Sequence, residues 1–361
     1  MKLLANQLSD VLDRAELTWR DSVFLFPQER SCQVCIKKPG VYNACFDIDC
    51  LERGAPIGVN AVELFEFLRI ADGEEIELED CRDLVAARCG SVQTRLYNTP
   101  PLDDFEHEDT TIVELGHVMG KYIVKPYLPL LPSTPGDIYA TGCVVIMPDG
   151  DRTSYMMTDG RIMVVIGVDH QTKDTFVIPA KVFTCFNGYD TIYVGKNGDG
   201  RVTLKSENVA VVSHYARDIP NFKNLLKKLD GSTPLRIPLG KLAEFMRRIQ
   251  SVRSNTGMII VSVGKGEMVI YADTKHITVK AAESIPYQGD RIYLPFDVEH
   301  VTILLDSLHE ESVEMMLPAL KPFRDGFLAD KVMFIQADTH TLIAIAPFSE
   351  NAVGEILERF C

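Results

Sequence analysis

The sequence predicts an α+β protein built from three tandem copies of one module, each with two helices laid on antiparallel sheet. Three observations carry this. A block of strand, amphipathic helix and alternating strand occurs at Gly58–Leu78 (GVNAVELFEFLRIADGEEIEL), again at Val177–Val194 (VIPAKVFTCFNGYDTIYV), and again at Tyr293–Met316 (YLPFDVEHVTILLDSLHEESVEMM). A spacing of roughly a hundred residues marks a domain repeat, because solenoid units run only about 20–50 residues. The length of 361 residues accommodates about two to three domains at ~100–200 residues each, and the repeat selects three.

The first module opens with a predicted helix over Leu4–Leu17, with Leu4, Leu8, Val11, Leu12 and Ala15 on one face. Alternating segments SVFLFP, SCQVCIKK and VYNACFDID follow as strands. In the first block Ala61, Leu64, Phe65 and Leu68 form the apolar stripe of a helix, and Asp72-Gly73 breaks it before a strand at Glu74–Leu78. Leu84–Arg88 and Val92–Tyr97 are further strands, and the proline-rich Thr99–Phe105 is an exit linker.

The second module opens at Leu115–Lys125. Leu115, Val118, Met119, Tyr122 and Ile123 make a helical stripe there, with Lys121 and Lys125 outside it. Pro126 ends it, and PYLPLLPSTPGD reads as a stiff non-helical loop. Strands Tyr139–Met147 and Thr153–Met157 flank the turn Pro148-Asp149-Gly150, and MTDGRIMVVIGV is a turn feeding an apolar strand. After the second block come strands Val202–Lys205 and Val209–Tyr215, then an exit at Ala216–Phe222.

The third module starts with a predicted helix over Ile237–Val252, burying Leu239, Leu242, Phe245 or Met246, and Ile249. Strands Met258–Val263, Glu267–Ala272 and Ile277–Ala282 precede the third block, whose helix carries Val298, Val301, Leu304, Leu305 and Leu308. Lys331–Ile335 and Thr341–Ala346 close the sheet. Domain boundaries are set at 1–106, 107–228 and 229–348, with an extension at 349–361. Sheet edges of neighbouring modules are expected to join, which protects strands otherwise left open.

Composition narrows the function. Hydrophobic residues make up 46%, enough for real cores. No run approaches the ~18 apolar residues of a membrane span, and the N-terminal MKLLANQLSDVLDR lacks a long apolar signal core. A soluble, cytoplasmic protein is expected. The net charge of −14 speaks against a body coated in basic groups but leaves room for a local basic surface. The nine cysteines, at 32, 35, 45, 50, 81, 89, 143, 185 and 361, read as free thiols in a reducing compartment. Cys32 and Cys35 form a CxxC upstream of Cys45 and Cys50, the residue types of a zinc site. A regular strand through SCQVCI would put the two CxxC thiols on opposite faces, so small strand residues and no metal are expected.

No catalytic constellation emerges. P-loop, GxGxxG after a strand, HExxH and GxSxG patterns are all missing. The pairs Asp103-Asp104 and Asp47/Asp49 sit in linker and strand-end contexts, and the eight histidines (His107, His117, His170, His214, His276, His300, His309, His340) have no ligand spacing. The GKNGDG stretch at Gly195–Gly200 joins two strands and opens no helix, so it is a hairpin rather than a phosphate cradle. No cofactor and no enzymatic activity are expected.

Three tandem modules with no active site, MTDGRIMVV, VIPAK, ARDIPNF, LPFDVEHV and the late IAIAPF together resemble the bacterial-type DNA sliding clamp. That family is the beta subunit of replicative DNA polymerase, its processivity factor, and the resemblance covers about residues 1–348. Thr158-Asp159-Gly160, Val177-Ile178-Pro179 and Asp218-Ile219-Pro220-Asn221-Phe222 stand in the family's order and separation. The resemblance implies a head-to-tail homodimer ring of three domains per chain, closed by heterologous contacts around double-stranded DNA. Helices would line the hole and present Arg14, Arg69, Lys121, Lys125, Lys181, Arg247, Arg248 and Arg253 to phosphates without regard to base sequence.

It also implies a groove for short linear motifs of DNA polymerase, clamp loader and repair proteins. By motif position the groove would be Ala140, Thr158, Gly160, Arg161, Ile162, Met163, Pro220, Leu225, Ala344, Ala346 and Pro347, with Asp297 and His300 on its rim. Family members commonly read Gly-His-Arg-Leu where this chain has Gly160-Arg161-Ile162-Met163, and carry bulkier residues at Ala344 and Ala346. The tail SENAVGEILERFC is a further departure, expected as a loosely packed extension with Ile356, Leu357 and Phe360 in a short amphipathic turn. The sharper alternative has it folding towards the groove and competing with partners. Two rival functions stand beside the clamp: a clamp-like decoy or regulator that binds motifs without encircling DNA, and a metal-dependent nucleic-acid enzyme using the N-terminal cysteines.

Overall fold

The computed structural model describes residues 1–99, 110–132, 140–214, 218–219, 232–238, 240, 243–244, 254–274, 278–307, 312–317 and 319–360. The chain divides into two compact units, Met1–Ile123 with Gln171–Arg217, and Val124–His170 with Asp218–Cys361. Strands β10 (Cys143–Asp149), β11 (Arg152–Thr158) and β12 (Ile162–Val168) belong to the second unit.

In the first unit, β1 (Lys2–Leu4) runs directly into α1 (Ala5–Arg14), which buries Ala5, Leu8, Val11 and Leu12 as its 3.6-residue period requires. Strands β2 (Ser22–Pro27), β3 (Ser31–Lys38) and β4 (Tyr42–Glu52) pair in antiparallel sequence. Next, β5 (Ile57–Asn60) enters α2 (Ala61–Ile70). The Asn60 side chain accepts hydrogen bonds from the Val62 and Glu63 N–H groups at 3.0 and 3.1 Å, satisfying two donors that the helix start leaves open. The buried stripe of α2 is Ala61, Leu64, Phe67 and Leu68. Phe65, expected in that stripe, falls on its shoulder and is half-buried.

Strands β6 (Glu75–Asp80), β7 (Leu84–Cys89), β8 (Val92–Tyr97) and β9 (Glu114–Gly120) follow. After the chain returns, β13 (Phe176–Pro179), a 3-10 turn (Ala180–Phe186), β14 (Thr191–Lys196), β15 (Val202–Lys205) and β16 (Val209–Ser213) complete the unit. Apart from β13 these strands make a 12-stranded sheet ordered β8-β7-β6-β1-β4-β16-β15-β14-β9, with β2, β3 and β5 off that path. The β4–β16 ladder, from Tyr42↔Ser213 to Phe46↔Val209, joins strands of the first and second modules, as expected of their edges. The Asn197–Arg201 loop between β14 and β15 is the expected hairpin. The Asn197 carboxamide oxygen accepts from the N–H groups of Asp199 and Arg201 at 3.1 and 2.9 Å.

Two expectations in the second module fail. Leu115–Gly120 is strand, not helix, paired with β14 from Thr191↔Gly120 to Lys196↔Glu114. Its apolar spacing arises from a bulge at Gly116, where the register slips and a Cβ would overlap the Phe176 ring. His117 and Met119 point inward while Leu115 and Val118 are exposed. The proline-rich stretch after it is not a plain loop. Lys121–Ile123 and Lys125–Leu130 are 3-10 turns, the second burying Tyr127 and Leu130. Pro126 stands in the first turn, where its missing N–H would have no helical partner anyway.

A buried ion pair secures the end of α1. Lys38 and Asp21 lie 3.2 Å apart with side chains 6% and 4% exposed, and Lys38 Nζ also donates to the Glu16 carbonyl at 2.7 Å. Tyr42 donates to the Ala15 carbonyl at 3.3 Å, and the Cys185 thiol reaches the Tyr42 hydroxyl at 3.7 Å.

The second unit adds β17 (Thr233–Pro238), β18 (Ser254–Gly264), β19 (Glu267–Thr274), β20 (Thr278–Ser284), β21 (Arg291–Asp297), α3 (Val298–Ser307) and β22 (Ser312–Leu317). It ends with β23 (Lys321–Phe323), β24 (Gly326–Leu328), β25 (Met333–Gln336), β26 (Thr341–Ile345) and α4 (Glu350–Glu358). One sheet runs β10-β11-β12-β26-β25-β22-β17, so β12 of the second module pairs with β26 of the third. A 6-stranded sheet runs β20-β19-β18-β21-β24-β23. In both units the strand opening a module pairs antiparallel with the strand leaving its block: β1 with β6, β9 with β14, and β17 with β22.

The tail differs from the loose extension expected. It forms α4, whose Val353, Ile356 and Leu357 are buried against Met258, Ile260, Tyr271, Tyr293 and Leu328 of the 6-stranded sheet. That sheet is therefore covered on both faces, because Ile259, Val261 and Leu294, pointing the other way, are also fully buried. Two-sided burial accounts for the unbroken apolar run Met258–Val261. The linker expected at Thr99–Phe105 and the exit at Ala216–Phe222 fall largely outside the described residues. So does the helix over Ile237–Val252, of which Ile237 and Pro238 end β17.

Candidate partner groove and basic surfaces

The second unit brings most of the expected groove residues together around the turn from β11 to β12. The Thr158 hydroxyl donates to the Ile162 carbonyl at 2.7 Å and accepts from the Gly160 N–H at 3.0 Å. Asp159 Oδ1 accepts from the Arg161 and Ile162 N–H groups at 2.7 and 2.8 Å. Gly160 takes φ +95°, a left-handed conformation costly for a residue with Cβ. Thr-Asp-Gly is thus a self-satisfied turn, and it leaves Arg161 projecting, with its side chain 67% exposed.

Strand pleat then sorts the residues that follow. In the β12–β26 ladder Met163 stands opposite Ala344 and Ile162 opposite Ile345, and the Ala346 N–H donates to the Arg161 carbonyl at 2.7 Å. Side chains alternate, so Arg161, Met163, Ala344 and Ala346 share one face. Ile162 lies on the other with Ile343 and Ile345, at 1% exposure. Ile162 is therefore core and not groove lining. Ala140 and Thr158 are buried beneath the turn, where the Gly142 N–H reaches the Thr158 carbonyl at 2.9 Å. The accessible strip is Arg161, Met163, Ala346 and Pro347, with Phe348 beside it. Pro220 and Leu225 lie outside the described residues.

The rim is charged and paired. Asp297 caps α3, accepting from the Glu299 N–H at 2.9 Å, and stands 3.6 Å from the Arg161 guanidinium. With Arg161 so exposed, that pair contributes little, about 0–1 kcal/mol. Arg161 also lies 5.9 Å from the centre of the Phe348 ring. His300 Nε2 meets Asp159 Oδ2 at 2.7 Å, with side chains 11% and 16% exposed. The Asp159 hydrogen bond, against the opposing effect of burial and with added attraction from Asp159 and Asp297, raises the His300 pKa above its ordinary value. Burial would raise the Asp159 carboxyl, but bonds from His300, Ile162 and Arg161 outweigh it and hold the group below its ordinary range. The turn is thus tied to the start of α3 by two charged contacts, one inside and one outside. The resemblance implied Asp297 and His300 as a rim, and the structure sets both beside this turn; it did not point to Asp159 as the partner of His300 or to Phe348 as the neighbour of Arg161.

The basic residues fare unevenly. In the first unit Arg69 is exposed in the last turn of α2. Arg14 is ion-paired with Asp10 and lies 5.9 Å from the Tyr189 ring centre, and Lys181 stands 3.6 Å from Glu16. Lys121 does not present its charge: it is 7% exposed, and its Nζ donates to Asn187 Oδ1 at 2.6 Å. The helix that was to display it is absent, and the 3-10 turn points it inward. Lys125, in the second unit, is exposed. Arg247, Arg248 and Arg253 lie outside the described residues.

The N-terminal cysteines do not converge. Cys35 and Cys45 are directly opposite on β3 and β4 and form a disulfide, which corrects the expectation that all thiols are free. Cys32 points to the other face, fully buried, and burial, with the nearby Cys50, pushes its thiol up to about 12. Among the described residues no group of three or more His, Cys, Asp or Glu side chains could hold a metal ion. Likewise, among those residues no helix is long and apolar enough to cross a membrane.

No protein-family model matches the chain, and no curated protein matches it. Solved structures do. The DNA polymerase III subunit beta from Pseudomonas aeruginosa superposes with a TM-score of 0.73 at 13% identity, over 97% of this chain and 99% of that one. The beta subunit from Thermotoga maritima gives 0.74 at 14% identity, over 96% and 98%. A putative beta subunit from Eubacterium rectale gives 0.73 at 16%, over 97% and 100%. A second Pseudomonas aeruginosa structure in this group is described as a DNA polymerase sliding clamp. With so little shared sequence and nearly end-to-end superposition, the fold of this chain is that of the bacterial DNA sliding clamps.

Proposed function

We propose that this chain is a DNA sliding clamp, a processivity factor that acts by enclosing double-stranded DNA and performs no chemistry of its own. Two copies associate head to tail, each contributing domains 1–106, 107–228 and 229–348. The observation that carries this is the superposition along nearly the whole chain. The recurring ladder β1–β6, β9–β14 and β17–β22 supports three modules. For the dimer contact, β8 is the end strand of its sheet among the described residues, and Ile70 and Tyr97 beside it are each 70% exposed. An open edge next to apolar side chains suits pairing with a second copy.

On this reading Arg69, Lys125 and Lys181 face the duplex, joined by Arg14 and by Arg247, Arg248 and Arg253. Weak, sequence-blind attraction to phosphates lets the protein slide, and topology retains it. The strip Arg161, Met163, Ala346 and Pro347, with Ala344 buried beneath it, receives short apolar motifs of DNA polymerase, clamp loader and repair proteins. Light scattering after size exclusion should give two chains per particle, and loaded protein should stay on nicked circular DNA and run off once it is linearised. A lone chain, or equal loss from both DNA forms, overturns the proposal and favours a decoy that binds motifs only.

A further inference from the structure

The groove's far wall and the C-terminal helix are continuous. The chain leaves β26 at Ile345 and enters α4 at Glu350, so Ala346, Pro347, Phe348 and Ser349 are the entire link. Each end of that link is held. At the groove end the Ala346 N–H bonds the Arg161 carbonyl at 2.7 Å. At the helix end Ser349 caps α4, its hydroxyl accepting from the Ala352 N–H at 3.4 Å, and Glu350 pairs with Lys321. Between them Phe348 packs against the same apolar cluster that seats Val353, Ile356 and Leu357, while the Arg161 guanidinium lies over its ring. Beyond the helix, Phe360 meets Tyr271 edge-on with ring centres 5.2 Å apart.

We propose that α4 is a positioning element for the groove: seated on the 6-stranded sheet, it fixes Phe348 and thereby the Ala346–Pro347 wall and the Arg161 guanidinium. The positioning stands on these contacts alone; its consequence for partner capture rests on the groove reading above. The sign is opposite to that of a competing tail. Loosening α4 weakens peptide binding and does not relieve it, because the helix lies on the sheet and not in the strip.

Gly354 allows the test without disturbing a buried side chain. It stands inside α4, and a Cβ there meets nothing within 4 Å. Gly354→Ala raises helix propensity, and Gly354→Pro breaks the helix. Amide exchange of the full-length chain should show Ala346 protected about fivefold more in Gly354→Ala, and at least about tenfold less in Gly354→Pro. The amides of β2 and β3 serve as an internal reference that should not move. Identical Ala346 exchange in all three proteins overturns the proposal, and Gly354→Ala decides it should the proline variant misfold. A fluorescent serine-flanked Leu-Leu-Phe peptide supplies the second arm, with several-fold weaker binding expected for Gly354→Pro. Equal or tighter binding by that variant removes the positioning role. Failure of the wild type to bind this peptide counts against the groove reading and leaves the exchange result to judge the helix.

Discussion

Replacing His300 with Gln takes from Asp159 the only cation that meets it at hydrogen-bond distance among the described contacts. The two side chains are only 11% and 16% exposed and 2.7 Å apart, so solvent screens them weakly. A charge-assisted hydrogen bond of this kind is worth about 1.5–3 kcal/mol. Outright loss of one member of a buried pair costs ~3–5 kcal/mol. The lower range applies here, because Asp159 keeps the N–H groups of Arg161 and Ile162 and a Gln amide can still donate to it. The contribution depends on pH from both ends. His300 is raised above 6.5 in the folded protein, so its share is complete below 6.5 and is lost as pH rises through the folded value. Asp159 is depressed below 3.8, so its share is present above 3.8 and is lost as pH falls through the folded value. The pair is strongest between those two ordinary values. A double-mutant cycle with His300→Gln and Asp159→Asn, read by urea unfolding, should give a coupling of about 1.5–3 kcal/mol near pH 5.5, falling near pH 9 towards the ~0.5–1.5 kcal/mol of a neutral bond. Coupling that grows with pH, or that is negligible near pH 5.5, would refute the assignment of charge to this contact.

Three further outcomes are expected. Lys38→Met strands Asp21 as a buried carboxylate and should cost about 3–5 kcal/mol in chemical denaturation, much of it recovered when Asp21→Asn is added. Breaking the Cys35–Cys45 link by Cys45→Ser opens a loop with a sequence separation of 10. Chain entropy alone then predicts a loss of about 2–3 kcal/mol, visible as a lower melting temperature that reductant reproduces in the wild type and leaves unchanged in the variant. Removing Arg69 or Lys125 by alanine should each flatten the log–log salt dependence of binding to a short linear duplex by about 0.9. Lys121→Ala should leave that slope untouched while lowering stability, since its ammonium is spent on Asn187.

Much of the architecture was legible because burial writes a period into the chain. The strand–helix–strand order of the first block, the strands of the first module and the α3 start stand where the apolar spacing puts them. Asp297 and Asn60 cap their helices for the reason that short polar side chains generally do. The exceptions are instructive. In LGHVMG a helical stripe and a bulged strand share the same apolar positions, and only the partner β14 chose between them. A spacing of three between Cys32 and Cys35 hinted at a metal, yet the register that sets Cys35 against Cys45 belongs to the ladder and not to the motif.

What the sequence determined by itself is the order and kind of modules, because secondary-structure periods and turn residues act over a few neighbours. What tertiary structure alone decided is which side chains meet across long separations. Asp159 and His300 are 141 residues apart, Lys121 and Asn187 are 66 apart, and α4 finds its seat on strands as far upstream as Met258 and Ile260. No local pattern records such encounters, since a carboxylate or an ammonium can rest in water or against many partners, and an apolar helix face can be buried on many surfaces, until packing excludes the rest. Arg161 is exposed and Ile162 is core for the same reason: adjacent residues in a strand differ only in the side they face, and the fold decides which side is inside.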